Sequence, residues 1–215
     1  GERPAARAAA LPEAAARTLA MNGPDGSDGP DGPAAAAAEL REATRLVVTA
    51  RGYSYPSARE AALKLMETSY LSAQAFSGAD LLHGPLAMID GAVPVIAITS
   101  PGRGGQAMLP VLDRLRCVGA RVVPVAAMGS GATDGARLSI AAHGVAEELL
   151  PMLEILPLQQ LAWHLALDRG EDPDRPRGLS KITRTWCANE RATIPSRGIG
   201  FSTAGSGAGV PRIGA

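Results

Sequence analysis

The stretch EAALKLMET, residues 60–68, sets Glu60, Lys64 and Glu67 at i, i+4 and i+7, on one face of a helix. Two carboxylates around one ammonium can do two different things. They can form a solvated ladder of ion pairs, each worth a few tenths of a kcal/mol. They can also serve a reaction, with a carboxylate taking and returning a proton and an amine meeting a carbonyl. Lysine occurs in this chain only at 64 and 181, and arginine fills every other basic position. A GC-rich coding sequence, which favours arginine and alanine, is the plain account of that scarcity. Chemistry offers a second account, because arginine cannot supply the primary amine that a Schiff base requires.

Other residues divide in the same way. Ser57-Ala-Arg-Glu60 has capping-box spacing, which would start the helix at Ser57 and give Glu60 a structural role. Ala62, Met66, Tyr70 and Ala73 would then form its apolar face. His83 falls in a turn beside Gly84-Pro85. His164 sits in the apolar run LAWHLAL and is expected in the core, while His143, in AAHG, is expected to end a strand. SPGRGG lies at a helix start, where backbone N–H groups can receive an anion, but Gly-rich turns are common and this one is poor in hydroxyls. GSGAG, near the C-terminus, follows no strand and opens no helix, so it is not a nucleotide fingerprint.

These residues need a scaffold, and the pattern predicts one. Residues 1–21 read as an alanine-rich helix and NGPDGSDGPDGP (22–33) as a linker too polar to pack. A helix over AAAAAELREA leads into the short apolar strand RLVVTA. A helix at about 57–74, the strand VPVIAIT, the helix QAMLPVLDRLRCVG, the strand ARVVPVA, a weaker strand ARLSIAA and a helix around PLQQLAWHLALDRG follow. Short buried strands alternating with helices predict an α/β fold, a three-layer αβα sandwich around a parallel, Rossmann-like sheet. The loops RGYSYPS and SPGRGG, at the carboxyl ends of two strands, should border a ligand. The expected divisions are a helix and linker over 1–33, one domain over 34–186 and a tail over 187–215.

Composition excludes several classes. The chain of 215 residues is 46% hydrophobic and 20% charged, as globular proteins are, and its formal net charge is zero. No overall basic field exists to attract nucleic acid or an anionic membrane. Cys117 and Cys187 form no CxxC pair, so no disulfide framework or zinc site is indicated, and a reducing, cytoplasmic setting is expected. The run GPLAMIDGAVPVIAIT is interrupted by Asp90, Gly91 and Pro94, too early to span a membrane. The chain begins with Gly, which suggests a fragment or a processed start.

Two long blocks carry a resemblance. RGYSYPSAREAALKLMETSYLSAQAFSGADLLHGPLAMID and LPLQQLAWHLALDRGEDPDRPRGLSKIT resemble, in the right order, the second sugar isomerase (SIS) domain of glucosamine-6-phosphate synthases and the related two-SIS-domain aminosugar-phosphate deaminases. The similarity runs from about residue 40 to 184. It implies that Glu67 is the base that moves a proton between C1 and C2 of the open-chain sugar. By the same resemblance Lys64 lies near the C1 oxygen, and His83 helps open the ring from a neighbouring subunit. Lys181, in Arg177-Gly178-Leu179-Ser180-Lys181, would form a Schiff base with the ketose. Glu60, Arg51 and Ser180 are the expected substrate-binding residues. No cofactor is implied.

The expected function is therefore conversion of glucosamine 6-phosphate to fructose 6-phosphate and ammonia, or the isomerisation alone, on a phosphosugar substrate. The family's catalytic unit has two SIS domains, and most phosphate contacts come from hydroxyl-rich loops of the first. Nothing upstream of residue 34 resembles that copy, and no glutaminase segment is seen. A homodimer, or a partner chain supplying a first SIS domain, is expected. The alternative is a catalytically incomplete carbohydrate-phosphate-binding module, or a fragment of a two-SIS-domain enzyme.

Overall fold

A computed structural model describes residues 8–23, 32–127 and 137–178. Five strands form one sheet: β1 (Arg45–Ala50), β2 (Ser72–Ser77), β3 (Val95–Thr99), β4 (Val122–Ala127) and β5 (Leu138–Ile140). The order is β2-β1-β3-β4-β5 and every pairing is parallel, with Arg45 opposite Ser72 and Val95 opposite Val122. The helices are α1 (Leu11–Met21), α2 (Pro33–Leu40), α3 (Tyr55–Ser69), α4 (Gly78–Leu82), α5 (Arg103–Gln106), α6 (Leu109–Cys117) and α7 (Pro151–Asp168). The fold is the α/β sandwich that the alternation predicts.

Alternate residues of β1 divide the core. Leu46, Val48 and Ala50 pack with α2, α3 and α7, whereas Val47 packs with Leu81 of α4 and with Met108, Val111 and Leu115 in and before α6. So α3 and α4 lie on opposite faces of the sheet. At the β5 edge, α1 stands in for a further strand. Asn22 donates its amide to Ser139 O and accepts from Ser139 N–H, and Thr18 Oγ1 accepts from Ala141 N–H. Those bonds satisfy edge groups that would otherwise template another chain. Among the described residues, no helix is long and apolar enough to cross a membrane.

Four local expectations change. The capping box does not form: α3 starts at Tyr55, with Pro56 preset in its first turn, and the Ser57 hydroxyl is spent on Glu154. The helix ends at Ser69 rather than near 74, and residues 72–77 are the edge strand β2. Its sequence, SAQAFS, has few β-branched residues and an edge position asks little of it, so periodicity missed it. The buried face of α3 is Ala58, Ala61, Ala62, Leu65 and Ser69, while Met66 is exposed. Helix α7 begins six residues before Pro157 and runs through it, leaving one N–H fewer inside the helix.

Candidate active site

Strand order reverses between β1 and β3, and the loops that follow these strands meet there. Gly104 packs on the Arg51 carbonyl so closely that a Cβ on it would fall 2.6 Å from that oxygen; at Gly105 the same atom would fall 1.8 Å from Ser100 O. Gly102 has φ 117°, a backbone conformation that favours glycine. The glycines of SPGRGG are therefore explained by close packing of two loops. The anion this loop receives is internal: Glu147 Oε1 accepts the Gly104 N–H at 2.8 Å, and its carboxylate fills the space a Gly102 side chain would take. Beside it, Glu154 is fully buried and accepts from the Ser54 and Ser57 hydroxyls, both at 2.6 Å.

Neither glutamate was expected from the sequence. Glu154 did leave a signal, since it stands four residues from both Leu150 and Leu158, on the buried side of an apolar helix. Glu147 left none. Arg51 lies half-buried at the same end of the sheet, with its Cδ against Gly78. Among the described residues no ion pair is recorded for it.

On α3 the predicted triplet is assembled. Lys64 Nζ donates to Glu67 Oε2 at 2.7 Å and lies 3.8 Å from Glu60 Oε1. The three side chains are 39%, 35% and 29% exposed from Glu60 to Glu67, so water reaches them while the helix shields part of each. The hydrogen bond to Glu67 is the largest influence on Lys64 and holds its pKa above the usual 10.5; the charges of Glu67 and Glu60 add to this, and partial desolvation opposes it. Lys64 is thus a firm cation in this arrangement. It can donate to an oxygen that gains negative charge.

His83 closes α4 on the other face of the sheet. Its exposed ring has Nδ1 2.7 Å from Ala79 O. A carbonyl only accepts, so Nδ1 carries the hydrogen and Nε2 is left facing away from that bond. The histidine borders an open depression of about 400 Å³ with Leu82, Gly84, Leu86, Ala87 and Val118. Since α3 and α4 are separated by the sheet, one copy of the chain does not bring His83 to Glu67. Ser180 and Lys181 lie outside the described residues. His164, expected in the core, is only partly buried, edge-on to Trp163 at 4.7 Å, and desolvation lowers its pKa.

Residues 39–169, more than half of the chain, match the family described as SIS domain. The chain is 39% identical over 136 residues to glutamine–fructose-6-phosphate aminotransferase (isomerizing) of Methanothermobacter thermautotrophicus, spanning 61% of itself and 22% of that protein. Among solved structures it is similar to the C-terminal domain of glucosamine-fructose-6-phosphate aminotransferase from Francisella tularensis, with 27% identity and a TM-score of 0.62, covering 66% of this chain and 41% of that one. It is also similar to tagatose-6-phosphate ketose/aldose isomerase from Escherichia coli, with 26% identity and a TM-score of 0.52, covering 67% and 40%. The chain spans less than a quarter of the aminotransferase and less than half of each solved chain. With a parallel sheet in this order, the matched residues and these relatives in agreement, the chain belongs to the SIS domain family.

Proposed function

We propose that this chain supplies the proton-transfer half of a sugar-phosphate isomerase or aminosugar-phosphate deaminase, acting on glucosamine 6-phosphate to give fructose 6-phosphate and ammonia, or catalysing the isomerisation alone. The observation that carries the reading is the Glu60–Lys64–Glu67 face of α3, inside the matched region. Glu67 is the base over C1 and C2. Lys64, kept charged, leaves Glu67 on substrate binding and donates to the sugar oxygen where enolate charge develops, which frees a carboxylate oxygen for the proton. By the resemblance of its RGLSK segment, Lys181 is the amine that condenses with the ketose. Arg51, Glu60 and Ser180 hold the substrate. His83 opens the ring of a sugar bound to a second copy, so the working form is a homodimer or a pair with a chain carrying another SIS domain. A cytoplasmic setting belongs to the same proposal, since a sugar phosphate is a dianion that a bilayer excludes.

The test is to incubate the chain with glucosamine 6-phosphate and assay ammonia and fructose 6-phosphate. Turnover should appear in the wild type and fall by at least about a hundredfold in Glu67→Gln, the scale of a lost general base. Equal rates in the two would overturn the assignment.

A second reading has its own observation. The crevice where strand order reverses is filled by Glu147 and the glycine loop is packed shut, so this chain offers no vacant anion cradle there. That favours an incomplete module whose phosphate contacts come from another domain. Calorimetry separates the two: binding of fructose 6-phosphate without turnover supports the module, and turnover supports the enzyme.

A further inference from the structure

Ten large apolar side chains are exposed among the described residues, and five of them stand on two neighbouring helices, α3 and α7, so the exposure is concentrated on one layer. These helices lie side by side, with Ser57 bonded to Glu154 and Thr68 Oγ1 3.5 Å from Ala162 O. Along α7, Met152, Leu156, Gln159, Trp163 and Leu167 fall at i, i+4, i+7, i+11 and i+15, all within about a quarter of a turn of one another. That stripe is turned away from the sheet. Met152, Trp163 and Leu167 are 57%, 50% and 47% exposed, Gln159 is exposed and Leu156 half-buried, whereas Leu161 and Leu165 are fully buried. Leu63 and Met66 of α3 are exposed in the same layer. Between Pro151 and Leu167 the only Asp, Glu, Lys or Arg is Glu154, and it is buried, so the stripe bears none of these charges.

We propose that this face pairs two copies of the chain, α7 against α7, antiparallel about a twofold axis between Gln159 and Gln160. The order of the residues singles out a second copy as the occupant. In that alignment Met152 meets Leu167 of the other copy and Leu156 meets its Trp163, each pair occurs twice, and the glutamines lie at the centre. A contact between identical surfaces requires such a self-complementary stripe, whereas an unrelated partner does not need one. Size agrees, since the exposed parts of Met152, Trp163, Leu167, Leu63 and Met66 amount to roughly 500 Å². A standard interface takes about 800 Å² from each partner, somewhat over half of it apolar. Charge agrees as well, because Glu60, Lys64 and Glu67 of α3 flank the uncharged stripe, giving an apolar centre with a charged rim. Both copies present the same layer, so this contact does not bring His83 to Glu67. It is separate from the contact invoked for His83 and stands without it.

Sedimentation equilibrium and native mass spectrometry of the whole chain test the pairing. The wild type should be a dimer, or a tetramer where the His83 contact also forms. Trp163→Glu should halve the number of copies and raise the dissociation constant at least about thirtyfold, the scale of a central tryptophan in an interface. Trp163 is half-exposed, so the variant should keep its circular dichroism spectrum. Disulfides report the alignment, in a Cys117→Ser, Cys187→Ser background. Under mild oxidation Gln159→Cys should link to itself across the axis. Met152→Cys should link when mixed with Leu167→Cys and not by itself, because the two copies of position 152 stand about 22 Å apart along the helices.

A wild type that stays monomeric up to its solubility limit would overturn the second copy as the occupant and leave the face to a different protein. A number of copies unchanged in Trp163→Glu would overturn the surface itself. Halving without the link between positions 152 and 167 would overturn the antiparallel pairing.

Discussion

Lys64 keeps its proton because Glu67 accepts a hydrogen bond from it and Glu60 stands close behind. Its folded-state pKa lies above the reference of 10.5, so the stabilisation it gives is fully present below that reference. It is lost only as pH rises through the higher folded value. Lys64→Met should therefore lower the melting temperature by a small, constant amount from neutral pH up to 10.5, with the difference fading at more alkaline pH. Partial exposure makes the effect modest and salt-sensitive. A difference that changed between neutral pH and the reference value would contradict this ordering. The triplet was legible in the sequence because it depends only on helical periodicity, which holds wherever the helix ends. The partner of Ser57 was not, because Glu154 stands 97 residues away and only the packing of α7 on α3 brings it there.

That packing sets the element scale, where α3 and α7 are tied at their first turns by one carboxylate and two hydroxyls. Replacing Ser57 with Ala removes one donor from a fully buried carboxylate and should cost about 2 kcal/mol in urea unfolding. Glu154→Leu alone orphans two hydroxyls and should cost about as much or more. Combined with Ser54→Ala and Ser57→Ala, it removes every polar group of the cluster and should restore much of the loss. Additive costs across that cycle would mean that the three groups are not one network. The same elements show why boundaries were harder to read than faces. Ser57 has the spacing of a cap, but Pro56 presets the first turn and Glu154 takes the hydroxyl, so a tertiary contact overrode a local rule. Strand β2 was missed because its pairing with β1 is set by the sheet rather than by its own side chains.

At the scale of the whole molecule the sheet separates the two halves of the proposed chemistry. Glu67 and Lys64 lie on the α2–α3–α7 face and His83 on the α4–α6 face, which one copy of the chain cannot bring together. If His83 serves the Glu67 of a second copy, the two defects complement each other. Glu67→Gln and His83→Asn homodimers should each be inactive. When the two are unfolded together and refolded in equal amounts, half of the dimers are mixed, and each mixed dimer holds one site with both defects and one with neither. Activity should then return to about a quarter of the wild-type value. The measurement is turnover of glucosamine 6-phosphate against the fraction of mixed dimer, resolved by native mass spectrometry. Recovery linear in that fraction supports a shared site. Activity absent from the mixture while mixed dimers are abundant would place His83 in the site of its own chain, or outside the reaction.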